Sequence, residues 1–319
     1  MNAIASPAIL SAKSTSNIPD RGRCPTEVAA SSQFVARYEP DNAVLWSTWM
    51  PSGIPCFNLE LLRELKRGST EIENYFSGNS PERPLHYVVL SSAIVNVFNT
   101  GGDLEYFQNL IAAQDRRGLT EYAQVAVEVV YRNYTSHNLK DVTTIALLEG
   151  DALGGGFESA LSCDIVIAEK HVKAGFPEVL FNMFPGMGGL SFLSRRTGRQ
   201  TVNELTRTGR QYSAQELFDL GVIDLVVDTG EGPEAVRRVI RQRDRQFEAH
   251  SAMNKIDRML RPVTHEELCD VVQLWVDCAL QMSPRSLEWM RRLHQQQRAA
   301  FGRTGRMTLV PTHAPALAA

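Results

Sequence analysis

The fold of this chain is decided by residues 152–169, which read ALGGGFESALSCDIVIAE. The apolar run Val142–Leu148 precedes this stretch and is typical of a buried strand, as is Ile165–Ala168 near its end. Between the two runs, glycines 154–156 lead into a short apolar helix that contains Glu158. The stretch therefore predicts a strand, a glycine junction, a helix and a second strand. It places one carboxylate beside backbone that a ligand can approach closely.

A second glutamate, Glu178, follows a proline in the run GFPEVLF, residues 175–181, and lies twenty residues after Glu158. Two carboxylates beside accessible backbone suit the movement of a proton on and off a small acyl substrate. Two carboxyl groups a few ångströms apart resist ionising together, so we expect them to titrate as a coupled pair. One would then act as acid and the other as base, and the sequence does not assign which.

Predicted strands alternate with predicted helices along the body of the chain, which favours α/β architecture over an all-β sandwich. Further strands are predicted at Val44–Trp49, His86–Leu90 and Gly221–Val227, and helices at Asn58–Arg67, Asp103–Gln114 and Thr120–Tyr134.

With 319 residues, 43% of them apolar, the chain can bury one large core and carry a smaller helical appendage. We expect a disordered tail over 1–33, a core domain over 34–230, a C-terminal helical region over 231–302 and a second disordered tail over 303–319. An organellar transit peptide is the alternative for the first tail, because acids are absent before Asp20.

The composition also limits compartment and partners. A net charge of −3 and a pI near 6.2 do not indicate a surface that binds nucleic acid. No stretch reaches the ~20 consecutive apolar residues that are needed to span a bilayer. The five cysteines are odd in number and lack CxxC spacing, which is typical of buried thiols in a reducing compartment rather than disulfides or a zinc site. We therefore expect a cytoplasmic protein without a metal ion.

The C-terminal region carries apolar residues at helical spacing over Leu268–Leu280 and Pro284–Ala300, after a helix that should run from Pro233 toward Ala249. Whether their apolar stripe caps the core or forms an oligomer interface remains open at this point. The stripe comprises Trp275, Leu287, Trp289, Met290 and Leu293.

A second glycine junction occurs in VFNTGGDL, residues 97–104, where Gly101 and Gly102 follow a strand and precede a helix. Together with the junction at 154–156, it can supply two backbone N–H donors to one carbonyl oxygen, which is an oxyanion hole. A nucleotide-phosphate loop is disfavoured, because neither GK[ST] nor GxGxxG is present. For the third glycine run, 186–189, close helix packing is the favoured interpretation.

These motifs resemble the crotonase (enoyl-CoA hydratase/isomerase) superfamily through GGDL, residues 152–169 and the run GFPEVLFNMFPGMGG, residues 175–189. Within it, PEVLFNMFPGMG and WVDCALQ (275–281) look most like bacterial diffusible-signal-factor (DSF) synthases. The resemblance implies an α/β fold, the crotonase-like ββα spiral core, followed by a C-terminal helical region. It implies that Gly102 and Gly155 form the oxyanion hole and that both glutamates are catalytic.

The resemblance also implies a substrate-binding region around the glycines and the 175–189 run. The chain differs from an ordinary hydratase in its long N-terminal extension and in Ala174, where an aromatic residue usually precedes Gly175. For each aromatic or methionine side chain, plain core packing remains the alternative. The predicted substrate-binding residues are Gly101, Gly154, Gly156, Phe176, Met183 and Phe184, with Phe181 a further candidate for the acyl tunnel.

The activity implied by the synthase resemblance is dehydration of a 3-hydroxyacyl group on acyl carrier protein, followed by release of a cis-2-unsaturated fatty acid. It needs no cofactor beyond the thioester substrate. Implied partners are acyl carrier protein, a sensor kinase, and copies of the chain in a homotrimer or dimer of trimers. An ordinary enoyl-CoA hydratase and a non-catalytic binding protein are the alternatives.

An acidic carrier protein calls for a basic docking patch. Five arginines offer one, although a solvated face with local acid partners is an equal alternative: Arg195, Arg196, Arg199, Arg207 and Arg210. His86 and His137 stand isolated, so we interpret them as structural.

Overall fold

The computed structural model describes residues 25–51, 53–77 and 83–304. Its larger sheet has seven strands in the order β1-β2-β3-β4-β6-β8-β11. The strands from β3 to β11 pair in parallel, whereas β1–β2 and β2–β3 are antiparallel. These strands are β1 (Thr26–Ala30), β2 (Phe34–Glu39), β3 (Val44–Trp49), β4 (Tyr87–Ser92), β6 (Thr143–Leu148), β8 (Ile165–Glu169) and β11 (Leu225–Val227).

A smaller sheet holds four short strands in the order β10-β9-β7-β5. Each has only three or four residues, too few to show an alternating pattern. The sequence therefore predicts only one of them, the strand before Gly101. They are β5 (Asn96–Asn99), β7 (Gly150–Leu153), β9 (Lys173–Gly175) and β10 (Gln211–Ser213). This sheet matters for function because β5 and β7 are parallel neighbours and each ends at a glycine junction.

Helices follow the strands as the alternation predicts, so the α/β fold with a helical C-terminal region is confirmed. Helix α1 continues nine residues beyond the predicted Arg67. Gly68 sits inside it because a Cβ there would overlap the ring of Phe34 on β2. The helices of the core are α1 (Leu59–Phe76), α2 (Leu104–Ala112), α3 (Arg116–Tyr134), α4 (Gly155–Leu161), α5 (Gly189–Arg196), α6 (Arg199–Arg207) and α7 (Ala214–Asp219).

Two predicted boundaries differ from the structure. Strand β1 lies inside residues 1–33, where the sequence predicted a disordered tail; it pairs with β2 and buries Ala29. The helix predicted to end near Ala249 is divided by a short 3₁₀ turn and continues to Leu260. The C-terminal helices are α8 (Gly232–Arg243), α9 (Phe247–Leu260), α10 (His265–Leu280) and α11 (Pro284–Thr304). Of the second predicted tail, 303–319, the first two residues belong to the end of α11. The remaining parts of the two predicted tails, 1–24 and 305–319, lie outside the described residues.

The predicted C-terminal stripe packs on the core of the same chain. Trp275 on α10 meets the ring of Phe107 on α2 at a centroid distance of 5.0 Å, and Met290 on α11 is fully buried. A different helix presents apolar residues to the outside, because Met259 and Leu260 on α9 are 77% and 73% exposed. The stripe therefore caps the core, while the expected oligomer stays a prediction.

Both histidines interpreted as structural are held in packed surroundings. His86 stacks on Phe247 at 4.0 Å, and His137 is buried, which lowers its pKa to about 4. In the described ranges, no helix combines the length and apolar character that a bilayer crossing requires.

Candidate active site

The junction after β7 forms the floor of the site. Gly154 adopts φ +50° and ψ −126°, a conformation that disfavours L side chains. Helix α4 starts at the next residue, Gly155, and N–H groups in the first turn of a helix have no acceptor inside the helix. The N–H of Gly155 is therefore available to a ligand, at the positive end of a short helix dipole.

The junction after β5 meets the first one. The side chain of Asn99 accepts a hydrogen bond from Gly101 N–H at 2.8 Å, and Gly101 has φ +93°. A methyl group added at Gly101 would lie 3.1 Å from the nitrogen of Gly155, so the two backbones are in contact. Within the described residues, the N–H of Gly102 donates to no protein acceptor. The two N–H groups assigned to an oxyanion hole therefore lie close together in space, since a Cβ at Gly155 would lie 3.7 Å from the nitrogen of Gly102.

Glu158 is held by the third glycine run. It lies on α4 and is buried, and its Oε1 accepts hydrogen bonds from the N–H groups of Met187 and Gly189, both at 2.7 Å. Burial raises the pKa of Glu158 to about 7, while the two N–H groups act in the opposite direction. Gly188, between these donors, has φ +108°. The run at 186–189, predicted to serve packing, thus also positions a carboxylate.

Glu178 faces the glycine floor from the opposite side. It opens a short 3₁₀ turn, Glu178–Phe181, and a Cβ at Gly154 would overlap its Oε1. Its Oε2 is buried without a hydrogen-bond partner among the described residues. Burial, and then the charge of Glu158, raise the pKa of Glu178 well above the ordinary value. Glu178 therefore favours its neutral form, and the single negative charge of the pair falls on Glu158.

The neutral state of Glu178 has a measurable cost in stability. An unfolded glutamate ionises near its ordinary pKa of 4.5, so above that pH the folded chain binds more protons than the unfolded one, and stability falls as pH rises. Glu178→Gln removes this penalty. We expect its melting temperature to exceed that of the unaltered chain by several degrees at about pH 8, and by much less at about pH 5.

Differential scanning calorimetry at the two pH values measures this effect. Glu248→Gln, on the exposed side of α9, is the matched control and should leave the difference near zero. A Glu178→Gln variant that is less stable at both pH values would contradict the assignment of a neutral Glu178.

Both glutamates line a single cavity of about 70 Å³, together with Gly101, Gly102, Gly154 and Gly155. Of the other predicted substrate-binding residues, Phe184 and Phe181 also line it. Three do not. Gly156 backs onto the main chain of Asn99, Phe176 packs on Phe157 at 5.2 Å, and Met183 is buried outside the cavity wall.

Much of the remaining wall comes from helices that the sequence pattern does not connect to the site. Phe107 and Tyr122 come from α2 and α3, and Trp275, Leu293 and Gln297 come from α10 and α11. Trp275 and Leu293 did carry a signal, because they belong to the predicted apolar stripe. Spacing within one helix does not show that its stripe meets a cavity, and so this role was missed.

Three of the five arginines in the predicted basic docking patch form local ion pairs. Arg195 binds Glu267 at 2.6 Å, Arg196 binds Asp224 at 3.2 Å and Arg210 binds Glu216. These contacts favour the solvated-face interpretation for those three arginines.

The profile of the enoyl-CoA hydratase/isomerase family matches residues 65–285, more than half of the chain. The chain belongs to this family. A relative named probable enoyl-CoA hydratase 2, mitochondrial, of Arabidopsis thaliana is 32% identical over 58% of this chain and 56% of its own length. The short-chain-enoyl-CoA hydratase of Clostridium acetobutylicum is 30% identical over 57% of this chain and 64% of its own.

The fold of the hydratase/isomerase family is also visible in solved structures. Human mitochondrial delta3-delta2-enoyl-CoA isomerase superimposes with a TM-score of 0.69 at 16% identity, over 84% of this chain and 98% of that one. This confirms the predicted crotonase-like fold.

The sequence matches to the two hydratases named above, from Arabidopsis thaliana and Clostridium acetobutylicum, cover only about half to two thirds of the length of those relatives.

Proposed function

We propose that this chain adds water to, or removes it from, the Cα–Cβ bond of an acyl thioester. The observation that carries the proposal is the pairing of Glu158 with Glu178 in one cavity, against the backbone N–H groups of Gly102 and Gly155. Charge that builds on a thioester oxygen meets two fixed donors, each worth ~3 kcal/mol in the transition state. The carboxyl pair then supplies and accepts the protons.

The different surroundings of the two carboxyls assign their roles in the direction of hydration. Ionised Glu158 takes a proton from water as the oxygen bonds to Cβ, and neutral Glu178 gives its proton to Cα. As the oxygen bonds to Cβ, the electron pair of the double bond moves into an enolate, whose oxygen is held by the two N–H donors. The same electron pair then forms the new Cα–H bond with the proton from Glu178. Dehydration is the reverse, starting with the proton on Glu158.

The finer proposal follows the synthase resemblance. The substrate is a 3-hydroxyacyl group on acyl carrier protein, and the product is a free cis-2-unsaturated fatty acid of the DSF class. Two sequence runs carry that resemblance, and they meet at the cavity. A Cβ at Gly186 would overlap Trp275, and the thiol of Cys278 donates to the carbonyl oxygen of Asn182 at 3.5 Å. The match therefore concerns residues that shape the acyl-binding wall.

Release of the acid uses the same groups. Water attacks the thioester carbonyl carbon after losing a proton to a glutamate, and the two N–H donors hold the tetrahedral oxyanion. The C–S bond then breaks, and the departing thiolate takes up the proton. A cytoplasmic location, a sensor-kinase partner and a homotrimer or dimer of trimers complete this proposal, and they rest on composition and resemblance alone.

An ordinary hydratase acting on CoA thioesters is the second candidate, and the names of the relatives favour it. The purified chain should be incubated with 3-hydroxydodecanoyl thioesters of carrier protein and of CoA, with products followed by mass spectrometry. Free 2-enoic acid from the carrier-protein substrate supports the synthase. Reversible dehydration of the CoA thioester without acid release supports the ordinary hydratase. Turnover of neither thioester contradicts both.

A further inference from the structure

Gln297 is a polar side chain among the mostly apolar residues that line the cavity. It lies on α11, one helical turn after Leu293, and both side chains line the cavity. The rings of Phe107 and Trp275 line the same cavity. A leucine or phenylalanine would complete the apolar surface, yet the position holds an amide.

The side chain of Gln297 has no hydrogen-bond partner among the described residues, although the residue is almost entirely enclosed. The residue is only 3% exposed, and none of the hydrogen bonds among the described residues involves its side chain. A glutamine amide offers two donors and two acceptor lone pairs, and burial without partners is costly. Native proteins seldom leave such a group unpaired unless a ligand or water completes it.

The neighbouring residues show that this burial is specific. Gln295 and Gln296 precede Gln297 in a run of three glutamines, and both are exposed. Helix α11 packs against α2 and against the 3₁₀ turn that begins at Glu178. His294 Nε2 lies 3.6 Å from Glu105 Oε2 on α2, so the side of α11 that carries His294 faces α2. The helix thus turns one glutamine of three toward the site.

We propose that Gln297 is a specificity residue that hydrogen-bonds an oxygen carried by the acyl chain. The proposal rests on the function inferred above. The oxygen is either the 3-hydroxyl of a 3-hydroxyacyl group or a hydroxyl further along the chain, which present the same chemistry to the amide. An unsubstituted chain leaves the amide unpaired, so the site selects against it.

Binding of three non-hydrolysable analogues tests the proposal. Dodecanoyl, 3-hydroxydodecanoyl and 11-hydroxydodecanoyl groups are joined to aminopantetheine through an amide, and each dissociation constant is measured by isothermal titration calorimetry. In Gln297→Leu, the preference for one hydroxylated analogue over the unsubstituted one should fall by about tenfold. The analogue that loses affinity identifies the oxygen. Gln296→Leu, the matched control on the exposed side, should keep the preference of the unaltered chain.

An equal change for all three analogues in Gln297→Leu, or no change, would overturn the specificity role. That result leaves the proposed function standing, because turnover is measured separately. Failure of the unaltered chain to bind any analogue would overturn both. A melting temperature for Gln297→Leu at or above that of the unaltered chain is expected, since leucine replaces a polar side chain that has no hydrogen-bond partner among the described residues.

Discussion

Glu178→Gln is expected to lower kcat/KM for hydration of a 2-enoyl thioester by ~10³-fold, and Glu158→Gln by a similar factor. Each carboxyl transfers a proton in the transition state, and such a transfer contributes ~10²–10⁴-fold to the rate. A glutamine keeps the size of the side chain and cannot exchange a proton. The loss should appear mainly in kcat, because neither carboxyl is needed to hold the acyl chain.

Glu149→Gln is the matched control for both variants. Glu149 is a half-buried glutamate whose pKa is likewise raised, by burial and by the charge of Glu169, but it does not line the cavity. Its turnover should stay within about twofold of the unaltered chain. If both catalytic variants fold and retain turnover within tenfold, the acid–base assignment is wrong. If the chain is instead a non-catalytic binding protein, ligand binding should survive both substitutions, and the unaltered chain should show no turnover.

Gly154→Ala is expected to lower kcat by ~10²-fold or more. A Cβ at this position would overlap the Oε1 of Glu178, so the carboxyl must move away from the glycine floor. A displacement of about 1 Å in a catalytic group is sufficient for a loss of this size. The positive φ of Gly154 adds strain to the folded state.

Gly221→Ala separates these two effects. Gly221 also has a positive φ, +70°, and a Cβ there meets nothing within 4 Å. Both variants should lose stability in thermal unfolding, whereas only Gly154→Ala should lose turnover. Equal kcat values in two folded variants would show that Glu178 does not need its position against Gly154.

The sequence predicted those parts of the fold that depend on long, uniform patterns. Strands β6 and β8 appear where apolar runs predicted them, since a buried strand with parallel neighbours on both sides is apolar on both faces. The two glutamates were also identifiable, because each closely follows glycine, residues 154–156 before Glu158 and Gly175 before Glu178. The two glycine junctions of the site adopt backbone conformations that favour glycine. Gly154 and Gly101 both have positive φ.

Features that depend on contacts between distant segments were not predictable in the same way. The strands β9 and β10 have three residues each and exist through their pairing with each other. Gly189 donates to Glu158 across thirty-one positions of the chain, and glycine spacing cannot show such a contact. The cavity wall combines five helices, so Phe107 and Gln297 acquire their roles only when these helices pack.

Isotope labelling tests the central claim most directly. A 2-enoyl thioester is incubated with the chain in H₂¹⁸O, and the position of the label is read by tandem mass spectrometry. We predict ¹⁸O on C3 of the acyl chain, absent in Glu158→Gln and Glu178→Gln. Label confined to the carboxyl group, or label on C3 that persists in both variants, would contradict the proposal that these two glutamates move water across the Cα–Cβ bond.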